Sequence, residues 1–195
     1  MRFLITPVLA LLALVAPAAD PAPDQAAIQA AMAKMSTTGA EHAALAKAVG
    51  EWDVAASLWM TPGAPPATFT DSATFTMVLD GKWLRQDYRG TRMGPYTGLG
   101  MSGFDTVAKT YLASWFDSFM TTTHPLTGTS SDGGKTITYA SEMAHCPTTG
   151  GPLSFRYVHV WESPDRMVFT MFTKAPGGAE QKGMELVYTR KQAAK

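Results

Sequence analysis

The chain has 195 residues, 16 basic and 16 acidic side chains, and a formal net charge of zero. That balance leaves no electrostatic basis for holding nucleic acid or an acidic membrane surface. An apolar fraction of 46% suffices for a core, and the single cysteine, Cys146, excludes an internal disulfide framework.

The chain opens with Arg2, an apolar run from Phe3 to Val15, and then Ala16-Pro17-Ala18. A short positive start, an apolar stretch of about 13 residues and a small-x-small site make the pattern of a secretory signal peptide. Residues 1–19 are read as that signal, with cleavage after Ala18 or Ala19. The run is shorter than the roughly 18 apolar residues that a spanning helix needs, and no cysteine stands at the cleavage point to carry a lipid. The mature protein is therefore expected in the periplasm or outside the cell, without stable membrane insertion. Cys146 is expected to be a partly buried, inert thiol, since no base can be argued beside it.

Residues 20–39 read as a linker and helical tether. Ala19 to Asp24 is rich in Pro and Ala. Gln25 to Val49 is rich in Ala and lacks Pro, and Ile28, Met32, Met35, Leu45 and Val49 form a loose apolar stripe that Gly39 interrupts. Helical pieces are predicted at 25–36 and 40–48, the second capped by Gly50.

From Glu51 onward, Thr, Val, Tyr, Phe and Trp dominate, and Gly, Pro and Asp clusters recur between them. This texture predicts about ten antiparallel strands, near 51–60, 67–79, 82–90, 96–104, 109–117, 119–129, 135–144, 153–162, 166–174 and 182–190. Asp80-Gly81, Asp132-Gly133-Gly134 and Pro176-Gly177-Gly178 supply tight turns, and Ser163-Pro164-Asp165 suits a type I turn. Alternation assigns faces. Phe155, Tyr157, His159 and Trp161 oppose Arg156, Val158, Val160 and Glu162, and Met167, Phe169 and Met171 share one side of their strand. Several strands are apolar on both faces. One face is expected to fill a barrel, and the other to be covered by a helix, a partner subunit or long side chains of neighbouring strands. A homodimer is left open. Short turns without a long crossover favour a meander that closes on itself. The fold expected is mainly β: one antiparallel barrel over residues 40–191, preceded by the helical segment and followed by a tail at 192–195.

At Gly50-Glu51-Trp52-Asp53 the chain resembles the lipocalin and wider calycin pattern, in which a Gly-x-Trp opens the first strand. The resemblance implies that Trp52 plugs one end of the barrel and that Arg190, at the end of the last strand, packs over it. A second resemblance runs through about residues 40–191. Its blocks are Gly50-Glu51-Trp52, Trp59-Met60-Thr61-Pro62-Gly63-Ala64, Gly81-Lys82-Trp83-Leu84 and Asp87-Tyr88-Arg89-Gly90. Gly98-Leu99-Gly100-Met101-Ser102-Gly103-Phe104-Asp105, Ser114-Trp115-Phe116-Asp117-Ser118 and Met184-Glu185-Leu186-Val187-Tyr188-Thr189-Arg190 complete the series. In this order they are similar to the uncharacterised DUF1579 family. That resemblance implies a lipocalin-like barrel and brings no established activity.

Polar residues placed to line a lumen are Arg85, Tyr88, Trp115, Asp117, His124, Arg156, His159 and Glu185, with Glu142 and Tyr188 beside them. A barrel of this size holds one small ligand, oriented by a few polar groups. Trp115 and Asp117 share a face, where the carboxylate would meet a ligand or pair with Arg85 or Arg156. An inward Arg85 is costly without an acid, so it is either paired or outward. No catalytic residue is assigned. The four histidines, His42, His124, His145 and His159, lack a metal-ligand spacing, and no cofactor is expected. A haem barrel with one proximal histidine would have His124 or His159 to use. The glycines from Gly98 to Gly103 lie between strands and suit a bulge or close packing better than a dinucleotide loop. The leading expectation is an exported barrel binding a small hydrophobic or amphipathic molecule. Its rivals are an interaction protein with a side-chain-filled barrel and an enzyme using polar lumen groups.

Overall fold

The computed structural model describes residues 24–92, 94–146 and 149–192. The expected signal peptide lies outside the described residues, as do most of the linker and of the tail. Two helices, α1 (Gln25–Ser36) and α2 (Ala40–Ala46), precede ten strands. The strands are β1 (Gly50–Leu58), β2 (Ala67–Val78), β3 (Trp83–Gly90), β4 (Tyr96–Asp105), β5 (Thr110–Asp117), β6 (His124–Thr129), β7 (Thr136–Met143), β8 (Leu153–Ser163), β9 (Arg166–Lys174) and β10 (Gln181–Arg190). Each pairs antiparallel with its sequence neighbour, and β1 pairs with β10, so the sheet closes into the expected barrel. Closure satisfies both edges of every strand.

The helices form where the pattern placed them, with one correction. Asp24 caps α1 by accepting the N–H of Ala26 at 3.3 Å. No residue of α1 is buried, and Met32 and Met35 stand open to solvent. In α2, His42 Nδ1 accepts the Gly39 N–H at 3.1 Å, and His42, Ala44 and Leu45 are buried. Gly50 does not cap this helix. It opens β1 at φ 131°, and a Cβ there would lie 2.9 Å from Arg190 Nη1. The sixth strand also starts later than predicted. Asp117 Oδ1 accepts the N–H groups of Phe119 and Met120 at 2.9 and 3.1 Å, which folds 118–120 into a turn and delays pairing until His124.

α2 lies over one end of the barrel, against β3 and β4, with the His42 ring edge-on to Phe104 at 6.2 Å. Beneath it Trp52 is 0% exposed and donates its indole N–H to Ala48 O at 2.8 Å. Phe75, Trp161 and Tyr188 meet its ring edge-on at 5.9–6.5 Å. The Arg190 guanidinium sits 4.2 Å from its ring centre and donates to Val49 O and Lys47 O at 2.7 Å each. This arginine joins the last strand to the chain that leaves α2.

Register decides which side chains point inward. Paired residues share a face, so Val54, Asp71, Tyr88 and Tyr188 lie on the same side as Trp52. On the outer side, the apolar residues of β8–β10 are not covered by a helix among the described residues. Long neighbouring side chains cover part of that face: Arg156 lies 4.0 Å over Phe172, and Lys182 lies 4.6 Å over Trp59. Among the described residues no helix is long and apolar enough to cross a membrane.

Candidate functional site

The interior is packed unevenly. On β1 the inward Trp52, Val54 and Ala56 are 0–1% exposed. Across the barrel, Ala113, Trp115, Leu126, Phe155, Phe169, Met171 and Met184 also point inward, yet each keeps accessible surface. An inward side chain stays accessible where an interior space or the open end of the barrel adjoins it. Under α2 that space narrows to a void of about 40 Å³ bounded by Leu45, Phe75, Leu84, Gln86, Ile137 and His159, enough for ordered water. The partly exposed inward side chains cluster on β5, β6, β8 and β9, toward the end away from α2.

At that far end, a polar cluster closes one side of the mouth. Asp71 takes an inward position on β2, and its side chain is 0% exposed. Its carboxylate accepts from Tyr88 Oη at 2.5 Å and from Arg92 Nε at 3.3 Å. Arg92 comes from the β3–β4 connection and lies 5.0 and 4.9 Å from the ring centres of Tyr88 and Tyr96. It also donates Nη2–H to Tyr88 Oη at 2.6 Å and Nη1–H toward Met184 Sδ at 3.3 Å. A Cβ on Gly90 would reach within 2.6 Å of the Asp71 carboxylate, so the glycine makes room for the acid. Burial holds the Tyr88 phenol protonated far above neutral pH, and burial beside Asp117 pushes Tyr96 up to about 12.

Trp115 and Asp117 do share the inward face, but the carboxylate meets neither Arg85 nor Arg156. Asp117 Oδ2 accepts the Trp115 indole N–H at 3.1 Å and the Tyr96 hydroxyl at 3.3 Å. The Trp115 ring lies flat on β4, where a Cβ on Gly98 would come within 2.2 Å of it. Gly98 and Gly103 thus serve close packing, the latter beneath Trp83. Gly98→Ala is expected to cost about 1–3 kcal/mol by overpacking and to displace Trp115. A lowered melting temperature with loss of near-ultraviolet circular dichroism would show this, and unchanged values for both would contradict it.

Deeper in the lumen, Gln86 donates to Tyr188 Oη at 3.1 Å. His159 stands between Tyr139 and Phe169, with ring centres at 5.8 and 4.8 Å. Its remaining accessible surface faces the void. Burial pulls its pKa from 6.5 down to about 4. The unfolded chain therefore binds a proton that the folded chain refuses between those values, and stability must fall as the pH drops through that window. A loss on the order of 1–3 kcal/mol is expected between pH 7 and pH 4. Urea unfolding of the wild type and His159→Gln checks it: the variant should lack that part of the slope, and equal slopes would contradict a neutral buried ring.

The remaining predicted positions divide by parity. Tyr88, Trp115, Asp117, His124 and His159 point inward, as does Tyr188. Arg85, Arg156 and Glu185 point outward, a correction to their placement in the lumen. Arg85 pairs with Asp87 at 2.7 Å with both half exposed. Arg156 pairs with Glu180, and Glu185 with Lys182. Glu142 is exposed. Asp71, Arg92, Tyr96, Ser141 and Tyr157 were not singled out from sequence. Of these, Asp71 is the easiest to read from sequence, an acid in the inward series Phe69, Asp71, Ala73, Phe75. Cys146 is buried.

Residues 37–190 match the family described as "Protein of unknown function (DUF1579)", and the chain belongs to it. No curated protein sequence matches. Among solved structures, Rv2717c from M. tuberculosis is similar, with a TM-score of 0.54 at 18% identity over 80% of this chain and 100% of that one. The S-type phycobiliprotein lyase CPES from Guillardia theta is similar with a TM-score of 0.55 at 10% identity, over 84% of this chain and 98% of that one. At such identities these likenesses show a shared lipocalin-like barrel.

Proposed function

We propose that this member of the DUF1579 family holds a small hydrophobic or amphipathic molecule in the barrel lumen. What carries the reading is the inner wall of β5, β6, β8 and β9, where aromatic, Leu and Met side chains point inward and yet stay accessible. A packed core leaves few voids larger than a water molecule, whereas a ligand site exposes apolar surface with few polar groups to orient what it holds. Met171 on this wall and Met184 on the adjoining β10 add adaptable contacts.

Fluorescence titration with Nile red, an uncharged apolar dye, tests the reading. Saturable binding near one dye per chain is expected, abolished by Ala113→Trp, which fills the lumen from β5, and unaffected by Thr170→Trp on the outer face. Absence of saturable binding, or equal loss in both variants, would contradict it. Export belongs to the same proposal and is supported by the signal pattern of residues 1–19. An intact mass starting at Ala19 or Asp20 in the periplasmic or culture fraction is expected. A full-length mass confined to the cytosol would refute it.

A further inference from the structure

The two ends of the barrel differ in charge. At the α2 end, the connections 79–82, 106–109, 130–135 and 164–165 carry Asp80 and Lys82, Lys109, Asp132 and Lys135, and Asp165. At the open end the connections are 59–66, 91–95, 118–123, 144–152 and 175–180, and their only charged residues are Arg92 and Glu180. Both are already neutralised, Arg92 by the buried Asp71 and Glu180 by Arg156. Lys182, near the start of β10, lies over the Trp59 ring and pairs with Glu185. Arg89, Glu142 and Lys174, the other outward charges nearest this end, stand on the strands themselves.

Apolar side chains project from this uncharged rim. Met60, in the β1–β2 connection, is 71% exposed, and Phe119, in the β5–β6 connection, is 49% exposed. Phe116, on the outer face of β5, is exposed close to Phe119 in the chain. Around the barrel, β2–β5 separate the two connections on one side, and β6–β10 with β1 on the other. The tips therefore rise from nearly opposite sides of the mouth. The α2 end exposes Leu79 and Val107 too, but each shares its turn with charged residues. A protein interface fixes its partner's orientation with a polar rim and complementary charges, and this rim has no unpaired charge to offer. It also lacks the excess of Lys and Arg that draws a protein to an anionic bilayer. A fluid surface of net-neutral headgroups requires neither, and admits separate apolar tips without a shaped socket for each. We infer that the open end docks on a net-neutral lipid surface, with Met60 and Phe119 entering the interface. The barrel lies on the membrane and does not span it. This docking goes beyond lumen binding and does not depend on it.

Co-sedimentation with phosphatidylcholine vesicles, using protein purified from a secreting host, tests this. Binding is expected that added phosphatidylglycerol does not strengthen and high salt does not weaken. Met60→Asp and Phe119→Asp are each expected to lower the partition into vesicles about 10-fold, and Met60→Asp to keep the melting temperature of the wild type. Leu79→Asp and Val107→Asp, at the other end, should leave the partition unchanged. Failure to bind phosphatidylcholine vesicles would overturn the inference and leave lumen binding standing. So would binding that requires phosphatidylglycerol, or an equal loss in the Leu79 and Val107 variants. A dimer in sedimentation velocity that Phe119→Asp dissolves, with no vesicle binding, would overturn it in favour of two copies meeting mouth to mouth.

Discussion

Asp71→Asn is expected to lower the free energy of unfolding by about 3–5 kcal/mol, the cost of leaving one member of a buried ion pair without its partner. The Asp71 side chain is 0% exposed and that of Arg92 9%, so water cannot replace the missing charge. The guanidinium is also held by the rings of Tyr88 and Tyr96 and by Tyr88 Oη, which gives it no easy route to solvent. Its expulsion would drag the β3–β4 connection off the mouth. A fall in melting temperature of roughly 10 °C follows for a chain of this size. The double variant Asp71→Asn/Arg92→Met removes both charges and is expected to recover much of the loss, because paired buried ions gain little over apolar packing. Urea unfolding of the single and double variants measures the coupling. Strict additivity would show that the pair does not act as a unit.

Trp52→Ala is expected to cost about 3–5 kcal/mol, as usual for emptying a buried aromatic site. The indole is 0% exposed, touches three aromatic neighbours edge-on, and satisfies Ala48 O. Its removal also leaves Arg190 without the face it covers, although the bonds of Arg190 to Lys47 O and Val49 O remain. Trp52→Phe keeps a ring while losing the N–H bond, and should fall between the wild type and Trp52→Ala. Calorimetric melting of the three proteins ranks them, and a Trp52→Ala protein as stable as the wild type would refute a role for this residue in closing the barrel end.

The period-2 pattern made the barrel legible because ten short strands with strong turn signals leave few alternatives to an antiparallel meander. The inward series Phe155, Tyr157, His159, Trp161 could be read directly from alternation. Arg156 breaks that parity and belongs on the outside, where Glu180 meets it; its polarity suggested a site where its position did not. Arg85 was harder to place, because its outward neighbour Trp83 is large and aromatic and covers Gly103 rather than facing the lumen. Arg92 was invisible to alternation. It sits in a connection, and only closure of the sheet brings its long side chain over Tyr88 and Tyr96. The buried, unpartnered hydroxyl of Ser141 was equally hidden, since hydrogen-bond satisfaction depends on what stands across the barrel rather than along the strand.

Native mass spectrometry of the protein purified from a secreting host, beside a denatured extract of the same sample, tests lumen binding most directly. A reproducible small-molecule mass on the folded protein, absent from the denatured chain and lost in Ala113→Trp, is the result expected. A clean apo mass, with no thermal shift from a panel of lipids and metabolites, would contradict it.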